Sequence, residues 1–240
     1  FMVYRKENGE NGVLDYRERA PINSSSNMYL DQNSNIIEGL SMIGGLSIGV
    51  PGTIAGIFEA HEKFGSLSIE EIISPVIDLA KNGVIVTENQ LNRINENRKY
   101  FQFINKSEIL FDNDFKINDT IKNLKLAATL EKIMINGKDE FYKGETAKKL
   151  VKFINENGGI ITMEDLEVYE AVWRDPVVFN YDDLKIISMS PPSSGGVCIN
   201  QILKMIEPFN LKSYGHNSTD YIKLLVCLLY TSDAADERRR

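Results

Sequence analysis

The stretch SLSIEEIISPVIDLAKNG, residues 66–83, does most to limit what this chain can become. Ser68 is followed three residues later by Glu71, a pairing that satisfies the free N–H groups of a helix start reciprocally. Gly83 suits the far end, where a helix gives way to a backbone turn. Between them Pro75 lacks an N–H and crowds the preceding turn, so the pattern is expected to divide there into two short helices. Thr87 and Gln90 repeat the capping pattern and open a third.

Helical signals continue on both sides. Ile54, Ile57, Phe58, His61 and Phe64 recur at helical spacing, and Gly65 suits the C-terminus of that helix. Further helices are expected over 121–136, 145–157 and 195–207, ending near Gly137, Gly158–Gly159 and Pro208. The flanks read differently. Residues 1–20 look like two strands joined by the Asn/Gly-rich turn ENGENG, while AVWRDPVVFNY and LKIISMS read as strands. The result is a mixed α/β (α+β) chain, helix-rich in its middle, with no internal repeat or long linker.

Bulk properties narrow the function classes. A chain of 240 residues with 42% hydrophobic content can build one sizeable domain or two small ones. A net charge of -7 and a pI near 5.1 argue against nucleic acid as the main partner. No apolar run reaches the roughly 18 residues of a membrane span. Only His61 and His216, and Cys198 and Cys227, are available as soft ligands, and their spacing suits no metal centre. No metal and no cofactor are expected.

Four places invite a functional reading. GVPGTIAG is a glycine loop before a helix, but it fits neither the dinucleotide fingerprint nor a Walker loop, and close backbone packing explains it better. His61 lies on the apolar face of its helix as a packed, hydrogen-bonded residue, and His216 belongs to the lead-in of the next helix. In SMSPPSSGGV, neither Ser193 nor Ser194 sits in G-x-S-x-G. That stretch reads first as a strand-to-helix corner, in which a serine caps the helix and Gly195–Gly196 permit close packing.

The fourth is VLDYRERAP. Strand alternation puts Val13, Asp15 and Arg17 on one face and Leu14, Tyr16 and Glu18 on the other. Arg17 then either forms a structural ion pair with Asp15 or Glu18, or holds its planar fork out for a ligand carboxylate. The residues alone leave both readings open.

Six segments taken in order point one way. LDYRERAP, GVPGTIAGIFEAHEKFG, PVIDLAKNGVIVTENQL, KLAATLEKI, FYKGETAKKLVKFINENGG, and MSPPSSGG followed by QILKMIE resemble the large subunit of the γ-glutamyltranspeptidase (glutathione hydrolase) family. The resemblance runs from about residue 1 to residue 226. It implies an N-terminal-nucleophile hydrolase with an αββα sandwich, incomplete in this chain. In that family a proenzyme cuts itself in two and exposes an N-terminal threonine on the small subunit. That threonine attacks γ-glutamyl amides such as glutathione, and the acyl group passes to water, an amino acid or a peptide. A periplasmic or extracellular setting is implied as well.

The threonine belongs to a Thr-Thr-His motif, and this sequence contains neither Thr-Thr nor Thr-His, so no catalytic residue is assigned here. Gly195–Gly196 and Ser193–Ser194 match a large-subunit motif and do not take the family's oxyanion or serine roles. Arg17 matches the family arginine that grips the substrate α-carboxylate, and is the one substrate-binding residue carried over. The final CLLYTSDAADERRR, residues 227–240, resembles translated adapter read-through rather than the family. With the start that lacks an initiator, it leads to the expectation of a partial gene. Two functions of different class stand open: part of a γ-glutamyl hydrolase/transferase whose partner is its own small subunit, or a non-catalytic binding or scaffold module that kept the fold.

Overall fold

The computed structural model describes residues 1–105 and 108–237, with side chains as far as Thr231. The chain opens as a hairpin of β1 (Met2–Arg5) and β2 (Asn11–Asp15), antiparallel with Val3 opposite Val13. The turn forms where the Asn/Gly run lies: Lys6 N–H donates to the Glu10 carbonyl at 2.8 Å, and Gly9 takes φ 86. That positive φ suits a residue without Cβ.

A long excursion follows. It holds α1 (Thr53–Phe64), α2 (Ile69–Asn82), β3 (Val84–Ile85), α3 (Glu88–Ile104), β4 (Thr120–Ile121), α4 (Leu124–Asn136), α5 (Lys138–Tyr142), α6 (Glu145–Glu156) and α7 (Met163–Glu167). The chain then returns to strands and helices: β5 (Val172–Arg174), β6 (Val177–Tyr181), β7 (Leu184–Ser188), α8 (Gly195–Ile206), α9 (Leu211–Tyr214) and α10 (Thr219–Glu237). Residues 238–240, the end of the expected non-family tail, lie outside the described residues.

Two compact units result. The first joins Phe1–Tyr16 to the chain from Ala171 onward, and the second is Arg17–Glu170. In the first, β2 is the middle strand of the order β1-β2-β5, and β6 and β7 form a separate hairpin against which α8 packs. The second is the helix-rich middle expected from the sequence. One apolar cluster lies where α2 meets α4: Ile73, Ile77 and Ala127 are buried, with Ile69, Ala80, Leu130 and Met134 against them.

Both capping boxes form. Ser68 Oγ accepts from Glu71 N–H at 3.2 Å, and the Glu71 carboxylate accepts Ser68 N–H at 2.8 Å. Thr87 and Gln90 do the same for α3. Pro75 does not divide its helix: α2 is continuous from Ile69 to Asn82. Pro75 forgoes one backbone bond to the first turn, while Ile73 and Ile77 on either side of it are both held in the α2–α4 cluster. Packing overrides the break.

Three more boundaries differ from expectation. AVWRDPVVFNY is two strands, β5 and β6, in separate sheets, interrupted at Asp175–Pro176. The helix expected from residue 121 begins at Leu124, because Thr120–Ile121 pair with β3. The alternation drawn through VLDYRERAP fails too. β2 ends at Asp15, and as a middle strand it buries Val13 and Leu14 alike at 0% exposure. Arg17 therefore lies past the strand.

Candidate functional site

Asp15 and Arg17 have separate surroundings. The buried Asp15 carboxylate accepts from Arg174 Nε at 2.9 Å, an ion pair between neighbouring strands. Arg17 Nε donates to Glu18 Oε1 at 3.2 Å, with the two side chains 48% and 61% exposed. Exposed pairs of this kind contribute about 0–1 kcal/mol, so an incoming carboxylate can displace the glutamate at small cost.

The backbone beneath Arg17 is held at several points. The Tyr169 hydroxyl donates to the Arg17 carbonyl at 2.7 Å. Arg19 and Val50 exchange N–H···O bonds at 3.2 and 2.7 Å. Ile22 N–H donates to Asp165 Oδ1 at 2.6 Å. The Arg19 guanidinium lies 5.1 Å over the Tyr169 ring and donates from Nη2 to the Glu170 carbonyl at 2.9 Å. A small cavity lies between Arg19, Ile22, Val50, Asp165 and Tyr169.

The supports are themselves anchored. Asp165 is the N3 residue of a third capping box, accepting from Thr162 N–H at 2.7 Å and Thr162 O–H at 2.8 Å. Burial pushes its pKa up, but the donors from Ile22 and Thr162 outweigh that and hold it below the ordinary aspartate value. Tyr169 stacks on Tyr142 with ring centres 5.7 Å apart and planes 8° from parallel. The Tyr142 hydroxyl donates to the Pro51 carbonyl at 2.8 Å and accepts from Ala55 N–H at 3.2 Å, at the start of α1. Burial pushes the Tyr142 pKa up to about 12.

Glycine serves packing here, as expected of GVPGTIAG. A Cβ on Gly49 would sit 3.0 Å from Glu18 Cγ and 3.2 Å from the Arg19 carbonyl, so this glycine lets its loop approach the Arg17–Arg19 segment. His61 Nε2 lies 2.8 Å from the Leu67 carbonyl, a structural bond. His216 is exposed in the turn before α10, with its ring 6.2 Å from that of Tyr221.

The SMSPPSSGGV stretch is a corner between β7 and α8, with a cis Pro191–Pro192 bond. Gly196 is the closely packed glycine, since a Cβ there would lie 2.4 Å from the Met189 carbonyl. Gly195 would meet nothing closer than Ser193 Oγ at 3.6 Å. Ser194 stands at the N-cap but makes no side-chain cap bond, contrary to the expected serine cap.

Among the described residues no group of three or more His, Cys, Asp or Glu side chains could hold a metal ion, and no helix is long and apolar enough to cross a membrane. What remains is a half-exposed guanidinium on a fixed backbone, able to grip a carboxylate through two parallel N–H donors. Sequence reading singled out Arg17 but not Tyr169, Tyr142, Arg19 and Asp165, which surround it here. The Thr162-x-x-Asp165 box was the one local signal that could have drawn attention to Asp165.

Solved structures share this arrangement. γ-Glutamyltranspeptidase from Helicobacter pylori superposes with a TM-score of 0.91 at 38% identity, over 97% of this chain and 68% of that one. The enzyme from Pseudomonas nitroreducens complexed with L-DON gives 0.90 at 36% identity, over 95% and 68%. The fold is that of the N-terminal-nucleophile hydrolases. The family model described as gamma-glutamyltranspeptidase matches residues 1–235, and the chain belongs to that family. It is 37% identical over 235 residues to the glutathione hydrolase proenzyme of Escherichia coli (strain K12), covering 94% of this chain and 40% of that protein. The chain thus spans well under half the length of the curated relatives it matches.

Proposed function

We propose that the protein to which this chain belongs cleaves γ-glutamyl amides such as glutathione through a γ-glutamyl-enzyme intermediate, and that Arg17 holds the donor's α-carboxylate. The carrying observation is the half-exposed Arg17 fork above a backbone fixed at Arg17, Arg19 and Ile22. Family membership supports the chemistry. A planar guanidinium matches a carboxylate in both charge and shape, whereas an ammonium supplies only charge.

The chain contains no Thr-Thr or Thr-His, so in this reading the nucleophile is supplied by the small subunit, the partner formed when the proenzyme cuts itself. The same observation favours a second reading, a non-catalytic module that retains the fold. A Thr-Thr-His segment in the downstream gene decides for the enzyme.

The test is steady-state kinetics of processed full-length enzyme carrying Arg17→Lys or Arg17→Ala. Loss of one charge-assisted hydrogen bond of about 1.5–3 kcal/mol lowers kcat/KM roughly 10- to 150-fold for the lysine variant. The alanine variant loses more. Unchanged KM and kcat beside a lowered melting temperature would refute the ligand role.

A further inference from the structure

We infer that Tyr169 is a positioning residue for the donor site: its hydroxyl fixes the Arg17 carbonyl and so sets the angle at which the guanidinium meets a γ-glutamyl α-carboxylate. This rests on the Arg17 reading above and assigns the residue through which that grip is held.

The bond itself is the first ground. Tyr169 O–H reaches the Arg17 carbonyl at 2.7 Å from a position 152 residues along the chain, and the tyrosine is only 7% exposed. A buried hydroxyl donating to a backbone carbonyl is a directional constraint, because leaving either group unpaired carries a desolvation penalty. It acts on the peptide unit of the residue whose side chain does the binding.

The second ground is that Tyr169 cannot readily follow Arg17 if Arg17 moves. Its ring stacks on Tyr142, and the Tyr142 hydroxyl is bonded to Pro51 and Ala55. Arg19 lies over the same ring and ties itself to the Glu170 carbonyl. Arg17 is thus registered to the start of α1 through two stacked rings, while Val50 and Asp165 hold Arg19 and Ile22 beyond it.

The third ground is what an arginine needs. Its side chain carries several rotatable bonds, and a bidentate grip stabilises a complex only to the extent that the fork is already aimed. Glu18 holds Nε at 3.2 Å but is itself exposed, so it orients the fork weakly. The fixed peptide unit sets the point from which the fork reaches out. Tyr169→Phe preserves the ring stack and removes the hydroxyl that makes this restraint.

The experiment uses processed full-length enzyme and two donors, a γ-glutamyl anilide and the γ-aminobutyryl anilide that lacks the α-carboxylate. Tyr169→Phe raises KM for the first about fivefold, the loss of one neutral hydrogen bond, and leaves kcat within about twofold. It leaves kinetics with the second donor unchanged, and adds nothing to Arg17→Ala. A merely structural tyrosine does the opposite, impairing both donors and adding its effect to that of Arg17→Ala, and that outcome overturns the inference. An unaltered KM in Tyr169→Phe also overturns it. If Arg17→Ala itself leaves KM unchanged, the Arg17 reading fails instead. Should Tyr169→Phe fail to mature, Tyr142→Phe keeps both stacked rings but frees them from Pro51 and Ala55, so the Tyr169 hydroxyl no longer holds the Arg17 carbonyl in place, and the same two-donor comparison decides.

Discussion

Gly45 and Gly159 pack backbone to backbone: a Cβ on Gly45 would lie 2.3 Å from Gly159 N, and one on Gly159 would lie 2.8 Å from the Gly45 carbonyl. Gly45 N–H also donates to the Asn157 carbonyl at 3.0 Å, so the glycine-rich loop is tied to the end of α6. Gly45→Ala and Gly159→Ala should each destabilise the chain by about 1–3 kcal/mol, the usual cost of forcing atoms into a packed contact. Thermal and urea melts of both variants and the double variant check this. Because the two share one contact, the double variant should lose less than the sum.

The 240-residue chain alone should not turn over a γ-glutamyl anilide, because no Thr-Thr-His nucleophile segment is present to form an acyl-enzyme. The measurement is release of the chromogenic amine by the pure chain beside a heat-killed control. Turnover above that control contradicts the assignment of the nucleophile to the small subunit.

Tyr142 should shape the alkaline limb of stability. Its pKa is raised to about 12 when folded, against about 10 in an unfolded chain, so the folded state holds that proton more tightly. The contribution is present below pH 10 and is lost as pH rises towards 12. Tyr142→Phe lacks that linkage, so the stability gap between wild type and variant should narrow across this window. Melting temperatures from neutral to strongly alkaline pH test it, and a constant gap would contradict it.

Asp165 works on the acid side with the opposite sign. Its pKa is depressed in the folded chain, so its contribution is present above the ordinary aspartate value and lost as pH falls through the folded one. Asp165→Asn should lower the melting temperature at neutral pH. The difference from wild type should begin to shrink below about pH 4, where the unfolded carboxylate takes up a proton. It should go on shrinking as pH falls through the lower folded value. A difference that persists undiminished in acid would locate the effect in shape rather than charge.

The legible parts of this fold are those decided within a few residues. The Ser68–Glu71 and Thr87–Gln90 boxes need only neighbours on one turn, and both formed where they were read. Pro75 misled because its local penalty was overruled by Ile73 and Ile77 meeting a helix some fifty residues away. The β3–β4 pair escaped because two-residue strands leave no periodicity. Arg17 was singled out through its motif, whereas the residues that hold its backbone come from the Val50 loop and from 165–170. A lone tyrosine in LEVYEAV gives no hint that its hydroxyl will find a carbonyl near the opposite end of the chain.

Strands β2 and β5 are ladder partners, with Asp15 opposite Val172, although the whole Arg17–Glu170 excursion separates them. For an unstructured chain, bringing such distant segments together carries a large closure entropy. Here the excursion draws its own two ends together, through Tyr169 on Arg17 and Arg19 on Glu170. Once it has folded, β5 starts beside β2 as the second strand of a tight hairpin would. The Arg17–Arg19 segment is a clasp that turns a long-range pairing into a local one.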